Sequence, residues 1–371
     1  MNNARQTALH ILNRCFKDRA WSSQTIDCEV RSLSDERDVA LVSYLVLGVL
    51  QNTLLLDEEI DAFLRGRTIK DLPVRNILRL GAYQLLFSEK IPVRAAVYES
   101  VELCKSAGFS SASGMVNAVL RKIAEAGLLQ FDELSVRYSH PKWFVDRMEQ
   151  RYGRAFTEAL LAADNREAKL LYHEAFTPGE CYVQDAAAYA AVQMAKPEPG
   201  MKVLDACAAP GGKSFTAAVM MNNTGSILSC DLHDKKLRLV REGAERLGIT
   251  IISTLCADAS VSDPAKMNAF DLVIADVPCS GFGVIRKKPE IRFKTEEEIR
   301  ILPAIQRKIA DNLAGYVKPG GRLLYSTCTV FEEENEAVSH SLHGFKILDE
   351  KTFWPHIDGT DGFYACLLRR N

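Results

Sequence analysis

The sequence predicts two architectures in one chain: an all-helical domain, then an α/β domain built on a doubly wound, mostly parallel sheet. Three observations carry this prediction. Up to about residue 126, apolar residues recur at three- and four-residue spacing, the mark of buried helical faces. Beyond about Pro199, short apolar runs alternate with helical stretches, the pattern of parallel strands with crossover helices. A turn of small residues joins the first of these runs to the helix after it, where open α/β sheets bind ligands.

The helical elements follow in order from Asn3. Ala8, Leu9, Leu12 and Phe16 share one face of a first helix. Asp35 can cap a second, in which Val39, Leu41, Val42, Leu45, Val46 and Val49 are too many for a surface helix. Val74–Phe87 is entered after Pro73, Pro92–Ala107 stops at Gly108, and Ser111–Ile123 closes the set. Apolar helices with short connections describe a bundle. Residues 141–198 read as two connecting helices, a short loop and one more helix.

The strands begin with Val203-Leu204, followed by Ile227-Leu228, Ile251-Ile252, Leu272–Ile274 and Leu323–Tyr325. Helical stretches at 214–221, 233–247 and 296–317 separate them. Phe345–Leu348 and Phe363–Leu368 read as a final antiparallel pair.

Composition bounds what such a chain does. The 371 residues suffice for two domains, and 47% hydrophobic with 25% charged residues is ordinary for a globular protein. No run approaches the ~18 apolar residues of a membrane span. The first residues carry charges through their apolar positions, unlike a signal peptide, so a cytoplasmic address is expected. The 10 cysteines form no CxxC pair and no zinc-ligand spacing, so reduced thiols and no metal are expected. A net charge of -2 means that basic residues must be gathered locally if nucleic acid is the partner.

The turn Ala206-Cys207-Ala208-Ala209-Pro210-Gly211-Gly212-Lys213 lacks the GxGxxG of a dinucleotide site and the spacing of a P-loop. Its small residues admit close backbone approach by a bulkier, less anionic ligand, with backbone N–H groups offered to a carboxylate. A glycine pair alone would mean only a tight turn. Asp231, Asp258 and Asp276, at three successive strand ends, make it a site: Asp231 stands where an acid meets ribose hydroxyls.

Two cysteines also lie past strand ends rather than inside apolar runs: Cys279 in Asp276-Val277-Pro278-Cys279-Ser280-Gly281 and Cys328 in Tyr325-Ser326-Thr327-Cys328-Thr329. Two thiols facing one crevice suggest nucleophilic chemistry. The basic run Arg286-Lys287-Lys288, with Arg292 and Lys294, follows the first and suits a nucleic-acid backbone.

In this order and spacing, DACAAPGGKS, DVPCSG and YSTCT resemble the RNA 5-methylcytosine methyltransferase family. The helical region resembles a NusB-like RNA-binding domain, and the pairing points to the bacterial RsmB (Fmu/Sun) branch, which modifies 16S ribosomal RNA. The resemblance covers nearly the whole chain. It implies a NusB-like domain at 1–126, a connecting helical region at 127–198 and a Rossmann-like S-adenosylmethionine-dependent methyltransferase domain at 199–371. Carried over by motif, S-adenosylmethionine falls to Cys207, Ala208, Ala209, Pro210, Gly211, Gly212, Lys213, Asp231, Asp258 and Asp276. The family nucleophile matches Cys328, and the cysteine that helps product release matches Cys279; the residues by themselves do not rank the two thiols. Lys213 matches a position that holds either the cofactor carboxylate or an RNA phosphate. A monomer acting on 16S ribosomal RNA, without metal or membrane, is expected.

The implied chemistry explains the need for a thiol. Carbon-5 of cytosine is too weak a nucleophile to attack a methyl sulfonium, and thiolate addition at carbon-6 makes it enamine-like. A lowered thiol pKa is expected at the nucleophile, and the target base must leave its stack. Two rival readings remain. A methyltransferase of protein or small molecules leaves both strand-end cysteines idle, and a non-enzymatic ribosome-assembly or transcription factor uses the helical domain alone. The chain also departs from the family: about eighteen residues separate Asn165 from Gln184, where a small α/β segment is usual, and 348–353 is short. These places are either true deletions or stretches missing from the chain, which an overlong Cα–Cα step in 165–175 or 348–353 would reveal.

Overall fold

In the computed structural model, which describes residues 4–167 and 171–371, the apolar faces read from the sequence close into one helical core. Helices α1 (Ala4–Asp18), α2 (Ser22–Glu29), α3 (Glu36–Gln51), α4 (Thr53–Phe63), α5 (Leu72–Phe87), α6 (Val93–Ser106) and α7 (Ser113–Ala126) supply it. Asp35 caps α3 as expected, accepting from the Arg37 amide at 2.8 Å. Leu12, Leu45, Val49, Ile77 and Leu120 are fully buried in this core. No single helix among the described residues is long and apolar enough to cross a membrane.

The helical unit does not stop at α7. It runs on through α8 (Leu134–Arg137), α9 (Lys142–Tyr152) and α10 (Arg154–Asp164) to Asn165, and it includes the distant segment 285–294. That segment is tied in by polar contacts: Glu290 Oε1 accepts from the Ser22 amide at 3.0 Å, and Trp143 Nε1 donates to the Lys294 carbonyl at 3.2 Å. The stretch expected as one connecting region, 127–198, is thereby divided between two units.

The second unit spans 166–284 and 295–371. It opens with a hairpin that the sequence did not reveal, β1 (Leu171–Glu174) and β2 (Cys181–Gln184). Four-residue strands reading LYHE and CYVQ, the first mostly open to solvent, are too short to show a recognisable alternation. After α11 (Ala186–Ala195) come β3 (Lys202–Asp205), α12 (Gly212–Met220), β4 (Ser226–Asp231), α13 (Asp234–Arg246), β5 (Ile252–Cys256) and β6 (Phe270–Asp276). Then follow α14 (Glu296–Ile299), α15 (Leu302–Ala314), β7 (Val317–Thr327), α16 (Glu336–Ser339), β8 (Phe345–Phe353), α17 (Pro355–Asp358) and β9 (Phe363–Arg370). The helix expected at 296–317 is thus two, broken before Pro303, which sits in the first turn of α15 where a missing N–H costs nothing.

The seven-stranded sheet has the order β5-β4-β3-β6-β7-β9-β8, parallel from β5 to β7 and antiparallel at β9 and β8. This is the predicted Rossmann-like fold. Neighbouring residues feed opposite cores: Val203, Leu272 and Ile274 face one layer of helices, and Leu204, Val273 and Ala275 the other. Burial on both faces is why these strands read as continuous apolar runs. The chain order reverses at β3, so the crevice lies beyond the carboxyl ends of β3, β4 and β6.

Of the two places where the chain looked short, 348–353 is uninterrupted strand, paired from Phe345↔Arg370 to Phe353↔Phe363 with one irregularity between Ile347 and Asp349. The other, 165–175, contains 168–170, which lie outside the described residues.

Candidate active site

The glycine turn is shaped by two positions. Gly211 has φ +118° and caps α12, and a Cβ there would lie 2.5 Å from the Phe215 ring, so only glycine fits. The turn spends much of its own hydrogen bonding: Ala208 N–H donates to the Cys230 carbonyl at 2.8 Å, and Gly211 N–H to Ala208 at 2.7 Å. This corrects the expectation that the loop amides at large face a carboxylate. The donors left over are those of the first turn of α12, from Gly212 on, which have no intrahelical acceptor.

The three acids stand at the ends of their strands. Asp231 accepts from the His233 amide at 3.0 Å and from the Ala209 amide at 3.4 Å, so it braces the turn. Asp258 is exposed, and the Ser260 amide, at 2.8 Å, holds its carboxyl below the usual carboxylate range. A cavity of about 160 Å³ lies beside it, walled by Leu204, Ala206, Cys230, Leu313 and Tyr316. An apolar wall with carboxylates at its rim and a small-residue turn beside it is a fitting cradle for a nucleoside-bearing cofactor.

Asp276 faces the other way. Its Oδ1 accepts from Ser326 Oγ at 2.8 Å and its Oδ2 from Lys213 Nζ at 2.6 Å. Burial pushes the Lys213 ammonium down, but the Asp276 carboxylate outweighs it and holds the ammonium above the ordinary lysine value. In the structure Lys213 therefore meets a protein carboxylate, with the Phe363 ring centroid 5.1 Å away.

Parallel pairing sets Asp276 opposite Ser326, so Cys279 emerges three residues beyond the end of β6 and Cys328 one residue beyond the end of β7. Their sulfurs are 3.2 Å apart. The loops that carry them are stitched together: Val277 N–H donates to Ser326 at 3.1 Å, Gly283 N–H to Cys328 at 3.0 Å, and the hydroxyls of Ser280 and Thr329 lie 2.7 Å apart. Gly283 allows this approach, because a Cβ there would fall 1.8 Å from the Gly362 carbonyl. The hydrogen bond with Cys328, followed by burial and by the charges of Glu334 and Asp276, pushes the Cys279 thiol well up. Cys328 instead lies within the field of the Lys213 ammonium. Cys207, at the start of the turn, is also pushed up, by burial first and then by Asp205.

Three residues central to this arrangement were not read from the sequence. Glu334, Asn335 and Gln306 are buried around the two thiol loops. An asparagine inside an acidic run just after the Cys328 motif was the available signal, and the run reads by composition as a solvated surface. Arg292 goes the opposite way. Expected in a phosphate-binding run, it is buried in the helical unit, donating to Ser139 O at 2.9 Å, Ile285 O at 3.2 Å and Asn165 Oδ1 at 2.6 Å.

Known proteins match this chain at both ends. Residues 192–344 match the family described as 16S rRNA methyltransferase RsmB/F, and residues 2–125 match the NusB family. A probable ribosomal RNA small subunit methyltransferase B of Bacillus subtilis is 34% identical, covering 99% of each chain. The chain belongs to the ribosomal RNA small subunit methyltransferase B family. A second member, from Klebsiella pneumoniae, is 30% identical over 99% of this chain and 98% of its own. A methyltransferase homolog from Pyrococcus horikoshii, 22% identical with a TM-score of 0.56, covers 64% of this chain and 98% of its own and shares the fold. As a family member this is an S-adenosylmethionine-dependent ribosomal RNA methyltransferase. The Bacillus alignment runs over 443 positions, so that relative carries stretches with no counterpart in these 371 residues.

Proposed function

We propose that this methyltransferase modifies carbon-5 of a cytidine in 16S ribosomal RNA through a covalent bond between Cys328 and the base. The observation that carries the reading is the thiol pair: two cysteines from adjacent strand ends, 3.2 Å apart, near a half-buried lysine–carboxylate pair. A methyltransferase acting on an already nucleophilic atom has no use for either sulfur.

S-adenosylmethionine, when bound, supplies an electrophilic methyl group. Cys207 to Lys213 with Asp231, Asp258 and Asp276 would hold it, the small-residue turn allowing close approach and Asp231 offering a carboxylate to ribose hydroxyls. The protein's own work lies at the base. Cys328, as thiolate beside the Lys213 ammonium, adds to carbon-6, and the electron pair moves to carbon-5, which is then methylated. A base takes the carbon-5 proton, and the C–H electron pair restores the double bond and expels the Cys328 sulfur as thiolate. Cys279, pushed toward its thiol form, can return a proton to the departing sulfur. The target base reaches the crevice by leaving its stack. The helical domain and the exposed Lys288 bind RNA backbone without taking part in the chemistry.

Incubating the enzyme with labelled cofactor and unmodified ribosomal RNA, then mapping the modified base, tests the substrate. Changing each cysteine tests the mechanism. Cys328→Ala should give neither adduct nor product, while Cys279→Ala should accumulate an RNA adduct that survives a denaturing gel. An adduct with Cys328→Ala instead would exchange the two roles, and full activity of both variants would end the covalent reading.

A further inference from the structure

The run Phe331-Glu332-Glu333-Glu334-Asn335-Glu336 follows the Cys328 motif, yet Glu334 is 2% exposed and Asn335 1%. Each of these two residues straddles one cysteine. Glu334 Oε2 accepts from the Ser280 amide at 2.8 Å and from Gln306 Nε2 at 2.8 Å, and the same Gln306 nitrogen donates to the Pro278 carbonyl at 3.0 Å. The backbone is therefore held on both sides of Cys279. Asn335 accepts from Thr327 Oγ1 at 2.5 Å and donates to the Thr329 carbonyl at 3.2 Å, which holds both sides of Cys328. Tyr325, on β7, donates to the Glu334 carbonyl at 2.6 Å and fixes the pair to the sheet.

A glutamine or an apolar residue would fill this place without the cost of desolvating a carboxylate. The Glu334 carboxylate is compensated on one side only: Oε1 is buried with no hydrogen-bond partner among the described residues. Its field falls on Cys279. The charged and titratable groups that act most strongly on that thiol are Cys328, Glu334 and Asp276, and it acts in turn on the Tyr325 hydroxyl. The Lys213 ammonium acts on the other sulfur.

We propose that Glu334 is a positioning residue for methyl transfer: its carboxylate fixes the Cys279 loop against Cys328 and keeps Cys279 as the hydrogen-bond donor of the pair, so that Cys328 is the sulfur that reacts. This rests on the covalent reading given above.

The test uses the full chain carrying Cys328→Ala, in which alkylation of Cys279 by iodoacetamide is followed by mass spectrometry across a pH series. Half-reaction should lie above the ordinary thiol value of about 8.5, and a value at or below it overturns the proposal. Adding Glu334→Gln should lower the half-reaction pH by about one unit, a roughly tenfold rise in rate at a fixed lower pH. Glu334→Asp, which keeps the charge, should recover the parent profile. A purely structural residue would move both variants alike or neither, and either result overturns the proposal. Should Glu334→Gln fail to fold, Gln306→Leu in the otherwise unchanged enzyme removes one of the two donors and leaves the charge. Turnover should then fall roughly tenfold, the effect of a misplaced reacting group, with the melting temperature kept; unchanged turnover overturns the assignment. The covalent reading fails separately: Cys328→Ala enzyme that still methylates ribosomal RNA sinks both, whereas dead Cys328→Ala enzyme with an unmoved Cys279 profile sinks Glu334 alone.

Discussion

Both units bury charge, and they bury it for different ends. In the helical unit, Arg79 gives Asp57 two hydrogen bonds at 2.8 and 2.6 Å and reaches Asn76 Oδ1 at 2.8 Å, over the Phe16 ring. Arg75 donates to the same Asp57 at 2.8 Å. Each guanidinium nitrogen of Arg79 finds a protein acceptor, and the group sits between α4 and α5. In the sheet unit buried and half-buried polar groups gather at the carboxyl ends of the strands: Lys213 with Asp276, Glu334 with Gln306, Asp205 under the glycine turn. Asp205 Oδ1 and Glu334 Oε1 there have no hydrogen-bond partner among the described residues, and neither has Glu59 Oε2 in the helical unit; what differs is the neighbour, since Glu334 acts on the Cys279 thiol. Saturated networks fix a fold, whereas charge left partly uncompensated acts on its neighbours.

Substitution sharpens that contrast. The largest effect belongs to Cys328→Ala: methylation should fall to background with the melting temperature unchanged, and retained turnover would place the chemistry elsewhere. Next comes Arg79→Ala, which leaves Asp57 without its strongest partner and should cost about 3–5 kcal/mol of stability by urea titration, with cofactor affinity unaltered in the folded protein. A loss of affinity matching the loss of stability would erase the distinction between the units.

Asp205 gives a pH signature. Burial, against the Ser214 hydroxyl's opposing bond, pushes its carboxyl up to about 6. The folded state therefore holds the proton more tightly than the unfolded chain. The stability this represents, about 3 kcal/mol, is complete below the unfolded value of 3.8 and is lost as pH rises through about 6. Asp205→Asn should remove that slope from melting curves taken across this window, and an unchanged slope would assign it to other groups. Asp231→Ala should weaken cofactor binding by roughly 1.5–3 kcal/mol in calorimetry, the range for a hydrogen bond to a charged group. The smallest effect is expected at Lys288, whose ammonium lies 5.7 Å from the Trp21 ring centroid. Lys288→Ala should lower the salt dependence of ribosomal RNA binding by about one unit of slope, and an unchanged slope would remove it from the RNA contacts.

Most of what is local was legible in the residues alone. Helical faces such as Leu45 and Val49 follow from spacing, the strands from apolar runs, and the Gly211 turn from a run of small residues. The positions of Cys279 and Cys328 past their strand ends were legible for the same reason, since an apolar run shows where it stops. The hairpin at 171–184 was not, because four-residue, half-polar strands gain their definition from pairing. Which charges meet was set by how the strands pack. Cys279 and Cys328 are 49 residues apart and Lys213 and Asp276 are 63 apart. Their contacts depend on β6 lying between β3 and β7 in a fixed register. Packing also decided that Glu334 is buried while the glutamates beside it in the chain face outward, because burial is settled by what packs against a residue rather than by the composition of its segment.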